Sequence, residues 1–367
     1  MKIALITEIP APFRIAPWNA LAAKRDVELR VFLLAERDPR RDYDLHRGEW
    51  RFDSHLLRGR GVLGARRWVV ASRGAGRALA SFGPDLLIVG GWNQPAFFQA
   101  LGYARRRRVP YVLWVESTAR DLRLRRLGLE TLKRRLLSGA AGVLVPGRAA
   151  AEYVRALGVD AERVAFAPNT FDLDRFSRAL DAARPHREDR RRGLDLTRFT
   201  FLSVSRLSRE KGVDVLVRAF TDVAAELIVV GDGPERRTIE RLAGSNVRLV
   251  GAVRRDELPG WYVAADAFAL ASRSDTWGMA VGEAAAAGLP LVVTEAVGAG
   301  WDLVEPGVNG YRVPVADEDR LADALRSIAS DDAFQQRAAS RSKALAEAAT
   351  PEAWATSVRE LAARILA

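Results

Sequence analysis

The chain has 367 residues, no cysteine, three histidines and a formal net charge of +11, with 49% hydrophobic and 28% charged residues. That length favours two domains of ordinary size, and the composition places the chain among packed soluble proteins rather than disordered ones. No apolar run approaches the roughly 20 residues of a membrane-spanning helix, and the absence of cysteine with three scattered histidines argues against a dedicated zinc or iron site.

The opening MKIALITEIPAPFR reads as a first strand broken off by prolines rather than an export signal, so a cytoplasmic location is expected. Short apolar runs rich in Val, Ile and Leu then alternate with helical patterns: KIALIT from residue 2, VELRVFLLA from 27, DLLIVGG from 85, YVLWVES from 111, GVLVPG from 142 and VAFAPN from 164. Runs this uniformly apolar suit strands covered on both faces, which predicts a parallel sheet flanked by helices. The pattern lapses over residues 179–198, a charged stretch expected to be the linker and a surface helix. It restarts with FTFLSVSRLS from 199, ELIVVGDGP from 226, VRLVG from 247, AFALAS from 267, LPLVVTE from 289 and GYRVPV from 310. The expectation is an α/β protein of two Rossmann-like domains, residues 1–178 and 199–350, with sheets facing across a deep cleft. The amphipathic helix 351–367 is expected to pack back on the first domain.

Charge is unevenly spread. Residues 1–190 hold 35 Lys and Arg against 21 Asp and Glu, whereas residues 191–367 hold 22 against 25. Within the first half, residues 51–150 carry 19 basic and 5 acidic side chains, including Arg105–Arg108, so an anionic surface or ligand is expected to face that half. Leu122, Leu129, Leu132 and Leu136 form a helical stripe with Arg123, Arg126, Lys133 and Arg134 largely off it. That fits a helix lying on anionic lipid, and it fits equally a helix packed on the sheet with solvated arginines. No stacking-aromatic motif accompanies the charge, which disfavours nucleic acid.

In the second half, SVSRLSREKGVDV carries Arg206 and Lys211 from a strand into a helix start, the composition of a phosphate clamp; a plain surface pair with Glu210 partnering one cation is the alternative. Gly231 and Gly233 in VVGDGPE permit a sharp turn or a close ligand, but the third glycine of the dinucleotide fingerprint is absent, which disfavours a nicotinamide enzyme. In SRSDTWGMAVGEAAAAGLP a helix is predicted from near Gly278 to Gly288, with Asp275 in the loop before it and Glu283 inside it. The two carboxylates should lie roughly 8 to 12 Å apart, suited to the two ends of a folded sugar nucleotide, with the amides of Gly278, Met279 and Ala280 aimed at a pyrophosphate between them. A capping aspartate and a solvated helical glutamate would have the same spacing.

SRLSREKG, VGDGPE and SRSDTWGMAVGEAAAAGLP followed by AVGAGWDLVEPGVNGYRVP, in that order, closely resemble the retaining nucleotide-sugar glycosyltransferases of family 4, which have the GT-B fold. The resemblance implies a UDP- or GDP-sugar donor bound mainly by the second domain, a glycan or lipid-linked acceptor bound mainly by the first, and no cofactor or metal. It implies donor-phosphate contacts from Arg206 and Lys211, ribose contacts from Glu283, an aromatic at Trp277 and base contacts from main chain near Val250. Asp275 stands where the family's first glutamate usually lies, so this chain has the shorter acid. Glu116 stands where many members have a histidine near the donor sugar; an ion pair with Arg120 or another arginine is its other reading. Where many members have a glycine pair after the first strand, this chain has EIPAPFR; Arg14, with Trp92 and Asn93, is a candidate acceptor contact. The implied reaction is hexose transfer in exopolysaccharide or cell-surface polysaccharide assembly at the cytoplasmic membrane face. Secondary-metabolite glycosylation, epimerisation of a nucleotide sugar on the same fold and non-catalytic binding are the alternatives.

Overall fold

The computed structural model describes residues 1–39, 45–63, 68–120 and 127–367. They divide into two compact units: one holds the described residues up to Asp172, apart from Arg120, together with Ala349–Ala367, and the other holds Leu173–Ala348.

In the first unit seven parallel strands lie in the order Asp53–Leu56, Glu28–Leu33, Lys2–Thr7, Leu86–Val89, Tyr111–Trp114, Gly142–Val145 and Val164–Phe166. The order runs outward in both directions from Lys2–Thr7, so the chain changes direction across the sheet between Lys2–Thr7 and Leu86–Val89. Leu86–Val89, Tyr111–Trp114 and Gly142–Val145 are buried along their whole length, as both-face coverage by helices requires. An antiparallel hairpin of Gly59–Leu63 and Trp68–Ser72, which the sequence pattern did not announce, sits outside this sheet.

The helix Pro351–Leu366 belongs to this first unit. Thr350 caps it by accepting from the Ala353 amide at 3.0 Å, Trp354 is buried against Trp114 with ring centroids 5.4 Å apart, and Arg359 holds Asp26 through both carboxylate oxygens at 2.9 Å.

The second unit repeats the plan with six parallel strands in the order Val247–Gly251, Glu226–Val230, Thr200–Val204, Ala267–Leu270, Leu291–Thr294 and Gly310–Val313. Here the reversal falls between Thr200–Val204 and Ala267–Leu270. The charged stretch 179–198 is helical over much of its length, in Leu173–Ala183 and Arg187–Gly193, and is held to this unit by arginines. Arg191 donates to the Ala264 carbonyl at 2.8 Å and to Asp266 at 3.0 Å, and Arg187 donates to the Val263 carbonyl at 2.9 Å. Arginine forks thus do the docking that apolar periodicity would otherwise do.

The helix Leu127–Ser138 corrects one expectation. Of the stripe named above, Leu122, Arg123 and Arg126 lie outside the described residues. Lys133 does not face outward: it is 3% exposed, while Leu132 is 37% exposed, and Lys133 and Leu137 form the buried face one turn apart. Lys133 donates to Glu130 at 2.7 Å and to the Tyr153 hydroxyl. Desolvation depresses its pKa, but hydrogen bonds to Glu130 and Tyr153 outweigh this and hold it above the ordinary lysine value. A buried ammonium persists only when partnered in this way. Lys133→Ala is expected to lower the unfolding free energy by about 1–3 kcal/mol, because Tyr153 and Glu130 lose their shared partner, and Arg134→Ala to change it by about 0.5 kcal/mol or less. Urea denaturation of the two variants checks the difference.

Candidate functional site

Ligands of parallel α/β sheets bind beyond the carboxyl ends of the strands, where the strand order reverses. In the second unit that place is bounded by the loops after Thr200–Val204 and Ala267–Leu270, and they carry Arg206, Lys211 and Asp275.

The first loop is seated on the glycine turn. The Ser205 amide donates to the Val230 carbonyl at 3.0 Å, the Leu207 amide to the Asp232 carbonyl at 2.9 Å and the Glu235 amide to the Leu207 carbonyl at 2.9 Å. A Cβ on Gly231, whose φ is +138°, would lie 1.8 Å from the Ser205 carbonyl oxygen, and one on Gly233 would lie 2.4 Å from that of Leu207. Both glycines are therefore required by the loop that presents Arg206, before any ligand is considered. Val250 lies in the neighbouring strand, whose Gly251 carbonyl accepts the Gly231 amide at 2.8 Å. Arg206 is exposed, its carbonyl accepts the Ser208 amide at 2.9 Å, and its side chain makes no hydrogen bond or ion pair among the described residues.

The second loop is braced against the first. The Glu210 carbonyl accepts the amides of Arg273 at 2.8 Å and Ser274 at 3.2 Å, and the Arg273 guanidinium donates to the Arg209 carbonyl at 3.0 Å. Arg273 also grips both oxygens of Asp214, at 2.6 and 2.7 Å, and Arg218 reaches the same carboxylate at 3.1 Å. These guanidinium hydrogen bonds, Arg273 foremost, pull the Asp214 carboxyl down to about 2. Held by this brace, Lys211 Nζ lies 2.6 Å from Asp275 Oδ2, with the lysine side chain 25% and the aspartate 11% exposed. The buried hydroxyls of Ser205, Ser208, Ser272 and Ser274, on the same two loops, have no protein partner, and so leave unmet hydrogen-bonding capacity around the pair.

Beyond Asp275 the chain enters the helix Met279–Ala287, capped by Gly278 without any side-chain hydrogen bond. The first amides of such a helix have no partner within it, so those of Met279 and Ala280 begin a positive end beside Asp275. Glu283, one turn in, accepts from the Tyr262 hydroxyl at 2.7 Å. Burial raises the Glu283 carboxyl above the ordinary carboxylate range, with Tyr262 and Arg255 pulling it partly back. Trp277 is 4% exposed and packs in the core under the loop, its carbonyl accepting the Ala299 amide at 2.8 Å.

The first unit has its own polar cluster at its own reversal point. Arg14, in the first turn of the helix Pro12–Ala22, donates to Thr7 at 2.7 Å and Glu116 at 3.0 Å, with its guanidinium 4.6 Å from the centroid of the Trp114 ring. Glu116 therefore pairs with an arginine other than Arg120, as one of its two readings allowed. Trp92 is partly buried against the first unit's core. Asn93 donates to Glu8 at 2.6 Å, and Gln94 does the same. Glu8 and Gln94 did not stand out in the sequence; the only signal was an acidic residue immediately after the first strand.

Residues 198–331 match the model described as glycosyl transferases group 1, and residues 18–170 match the glycosyl transferase 4-like domain, so the two account for most of the chain. The chain belongs to the group 1 glycosyl transferases. This group 1 chain is 34% identical over 208 residues to a D-inositol 3-phosphate glycosyltransferase of Xylanimonas cellulosilytica, covering 53% of this chain and 50% of the relative. It is also 34% identical over 208 residues to a GDP-mannose-dependent alpha-(1-6)-phosphatidylinositol monomannoside mannosyltransferase of Mycobacterium tuberculosis, covering 52% and 51% of the two. The matched stretch thus spans about half the length of these curated relatives. Anabaena HepE, whose structure was solved in complex with UDP, shares the fold with a TM-score of 0.79 at 21% identity, over 99% of this chain and all of HepE. The fold is GT-B.

The Asp214 brace can be tested by acid. A carboxyl held at about 2 in the folded chain against an ordinary 3.8 contributes stability that is present above about pH 4 and lost as the pH falls towards about 2. Asp214→Asn should be about 1–2 kcal/mol less stable than the parent at neutral pH and should lose less on acidification, read from denaturant curves at pH 7, 5 and 3.

Proposed function

We propose that the chain is a retaining, metal-independent hexosyltransferase that moves a hexose from a UDP- or GDP-sugar to a glycan or lipid-linked acceptor. The observation that carries the reading is the Lys211–Asp275 contact at 2.6 Å on the loops at the strand-order reversal of the second unit, which also carry the exposed Arg206, whose side chain has no partner among the described residues. Family membership supports the reaction class. The M. tuberculosis relative named as GDP-mannose-dependent supports a guanine donor, and UDP on HepE supports a uracil one.

In this reading the acceptor oxygen bonds to the anomeric carbon as the bond from that carbon to the phosphate oxygen breaks, and the departing phosphate oxygen takes the acceptor's proton. Charge builds on the diphosphate, so preorganised donors are most effective there. Arg206, Lys211 and the amides of Gly278, Met279 and Ala280 meet that charge. Lys211 is then shared between phosphate and Asp275, which fixes the ammonium and leaves the second oxygen of Asp275 for a sugar hydroxyl. Glu283 takes the ribose hydroxyls, oriented by Tyr262, with Val250 beside the base. Trp277 supports the loop from the core rather than touching the ligand. Neither acid is a nucleophile or general base; both position.

Calorimetric titration with UDP and GDP tests the donor site. Arg206→Ala and Lys211→Ala should each weaken the preferred nucleotide by about tenfold or more, the worth of one charge-assisted contact. Asp275→Asn, which frees Lys211, should leave nucleotide affinity within about threefold while lowering turnover of the sugar nucleotide by about a hundredfold. Failure of both nucleotides to bind would sink the reading.

We further propose peripheral association of the first unit with anionic membrane, as expected of an enzyme of cell-surface polysaccharide assembly. Arg105–Arg108 are exposed at the end of the helix Pro95–Arg107, Arg134 and Arg135 are exposed on the helix Leu127–Ser138, and Phe98 and Leu132 are exposed apolar residues on those same two helices. Each basic side chain near an anionic bilayer is worth about 1 kcal/mol. In flotation with vesicles containing phosphatidylglycerol, changing these six arginines to glutamine should shift the chain from the lipid to the soluble fraction. Parent protein that stays soluble would reject the association.

A further inference from the structure

We infer that Glu8 is a specificity-determining residue that selects a neutral polyhydroxyl acceptor and excludes a phosphomonoester. The inference rests on the glycosyl-transfer reading above and specifies the acceptor class within it.

Glu8 directly follows the strand Lys2–Thr7, and Asn93 and Gln94 follow Leu86–Val89, so the three meet where the first sheet reverses its strand order. The backbone of Glu8 is pinned: its carbonyl accepts the amides of Leu34 at 3.1 Å and Ala35 at 2.9 Å. Its side chain is pinned as well, because Oε1 takes Nδ2 of Asn93 and Nε2 of Gln94, each at 2.6 Å. Gln94 is 1% exposed and has no freedom to turn: its Oε1 accepts the Val70 amide at 2.9 Å, and its second amide hydrogen goes to the Trp68 carbonyl at 3.1 Å. A buried amide anchored to the hairpin therefore aims the Glu8 carboxylate.

What remains unused is informative. Oε2 of Glu8 and Oδ1 of Asn93 take no hydrogen bond from the protein among the described residues. Both are acceptors, so a ligand that satisfies them must donate. The cation in the first turn of the helix that follows Glu8, Arg14, gives its two terminal nitrogens to Thr7 and Glu116 and lies over Trp114, which leaves only its buried Nε without a partner. The described side chains of this cluster thus present Glu8 and Glu116 against Arg14, while Lys133, 5.6 Å from the centroid of the Trp92 ring, is taken up by Glu130 and Tyr153. A vicinal pair of hydroxyls supplies the two donors at no electrostatic cost. A phosphomonoester dianion supplies only acceptors and more negative charge, so it meets repulsion. The preset carboxylate also spares the ligand the ordering cost of a mobile side chain.

The test uses the full chain saturated with UDP or GDP and reads weak binding by saturation-transfer NMR. The probes are methyl α-D-mannopyranoside, methyl α-D-glucopyranoside and myo-inositol, set against mannose 6-phosphate, glucose 6-phosphate and myo-inositol 1-phosphate. At least one neutral probe should bind, with its phosphorylated counterpart about tenfold weaker or worse. Glu8→Gln should weaken the neutral probe and strengthen the phosphorylated one, so that the ratio of the two affinities falls by about tenfold or more. A merely structural role for Glu8 would move both affinities together. Nucleotide affinity, measured on the same variant, should stay within about twofold, since that site lies in the other unit. The inference is overturned if no neutral probe binds, if a phosphomonoester binds as well as its neutral counterpart, or if Glu8→Gln leaves the ratio unchanged. Retained nucleotide binding in any of those cases leaves the donor-site reading intact. Should Glu8→Gln fail to fold, Asn93→Ala, at an exposed position, must lower the neutral affinity by about fivefold or the inference fails.

Discussion

The grip of Arg273 on Asp214 is the contact on which the second unit's site depends. Parallel strands buried on both faces offer few polar side chains and no charged ones at their centre, so the chemistry has to be assembled from the loops at their carboxyl ends. Two such loops would wander independently if nothing joined them. Arg273 spans them, with its guanidinium on Asp214 and on the Arg209 carbonyl and its own amide on the Glu210 carbonyl. The consequence is that Lys211 and Asp275, from different loops and 64 residues apart in the chain, are held at ion-pair distance.

Several charges in this protein are spent on position. Arg187 and Arg191 fasten a helix to the second unit, Arg359 fastens another to the first, and Lys133 is buried between Glu130 and Tyr153. What sets Arg206 apart from other exposed arginines without a partner among the described residues, such as Arg77 and Arg135, is its place on the loop at the strand-order reversal. Arg206 carries its charge on a loop whose backbone is hydrogen-bonded to the Gly231 turn on either side of it, so its root is fixed while its side chain has no partner among the described residues. A cation with a rigid base and an open end suits a ligand that arrives and leaves.

Most strands of both sheets were legible in the sequence as apolar runs separated by helical patterns, but their order across each sheet and the two reversal points appear only in the structure. Gly278 and Gly288 bracketed their helix from composition alone, and the helix is found at Met279–Ala287. What sequence could not supply was the phase and partners of polar side chains. Lys133 counts as a surface residue in any hydropathy pattern; only its pairing with Tyr153, 20 residues on, makes burial tolerable. Trp277, beside a glycine in a loop, invites a role at the ligand, yet the register of the chain turns it into the core. Glu8 and Gln94 are 86 residues apart and share no motif, so their contact exists only once the sheet is assembled. The glycines of the VGDGPE turn were legible as necessary, but the neighbour that makes them necessary turned out to be the protein's own loop rather than a guest.

The helix Pro351–Leu366 ties the end of this chain to its beginning. Trp354 fills the space against Trp114, and Arg359 reaches back across 333 positions to Asp26. A ribosome making the protein therefore releases the whole second unit, ready to collapse, while the first still lacks a wall of its core. Vectorial synthesis ordinarily lets the leading domain settle first; here the part of that domain's core that Trp354 fills beside Trp114 and Trp18 is made only after the second unit.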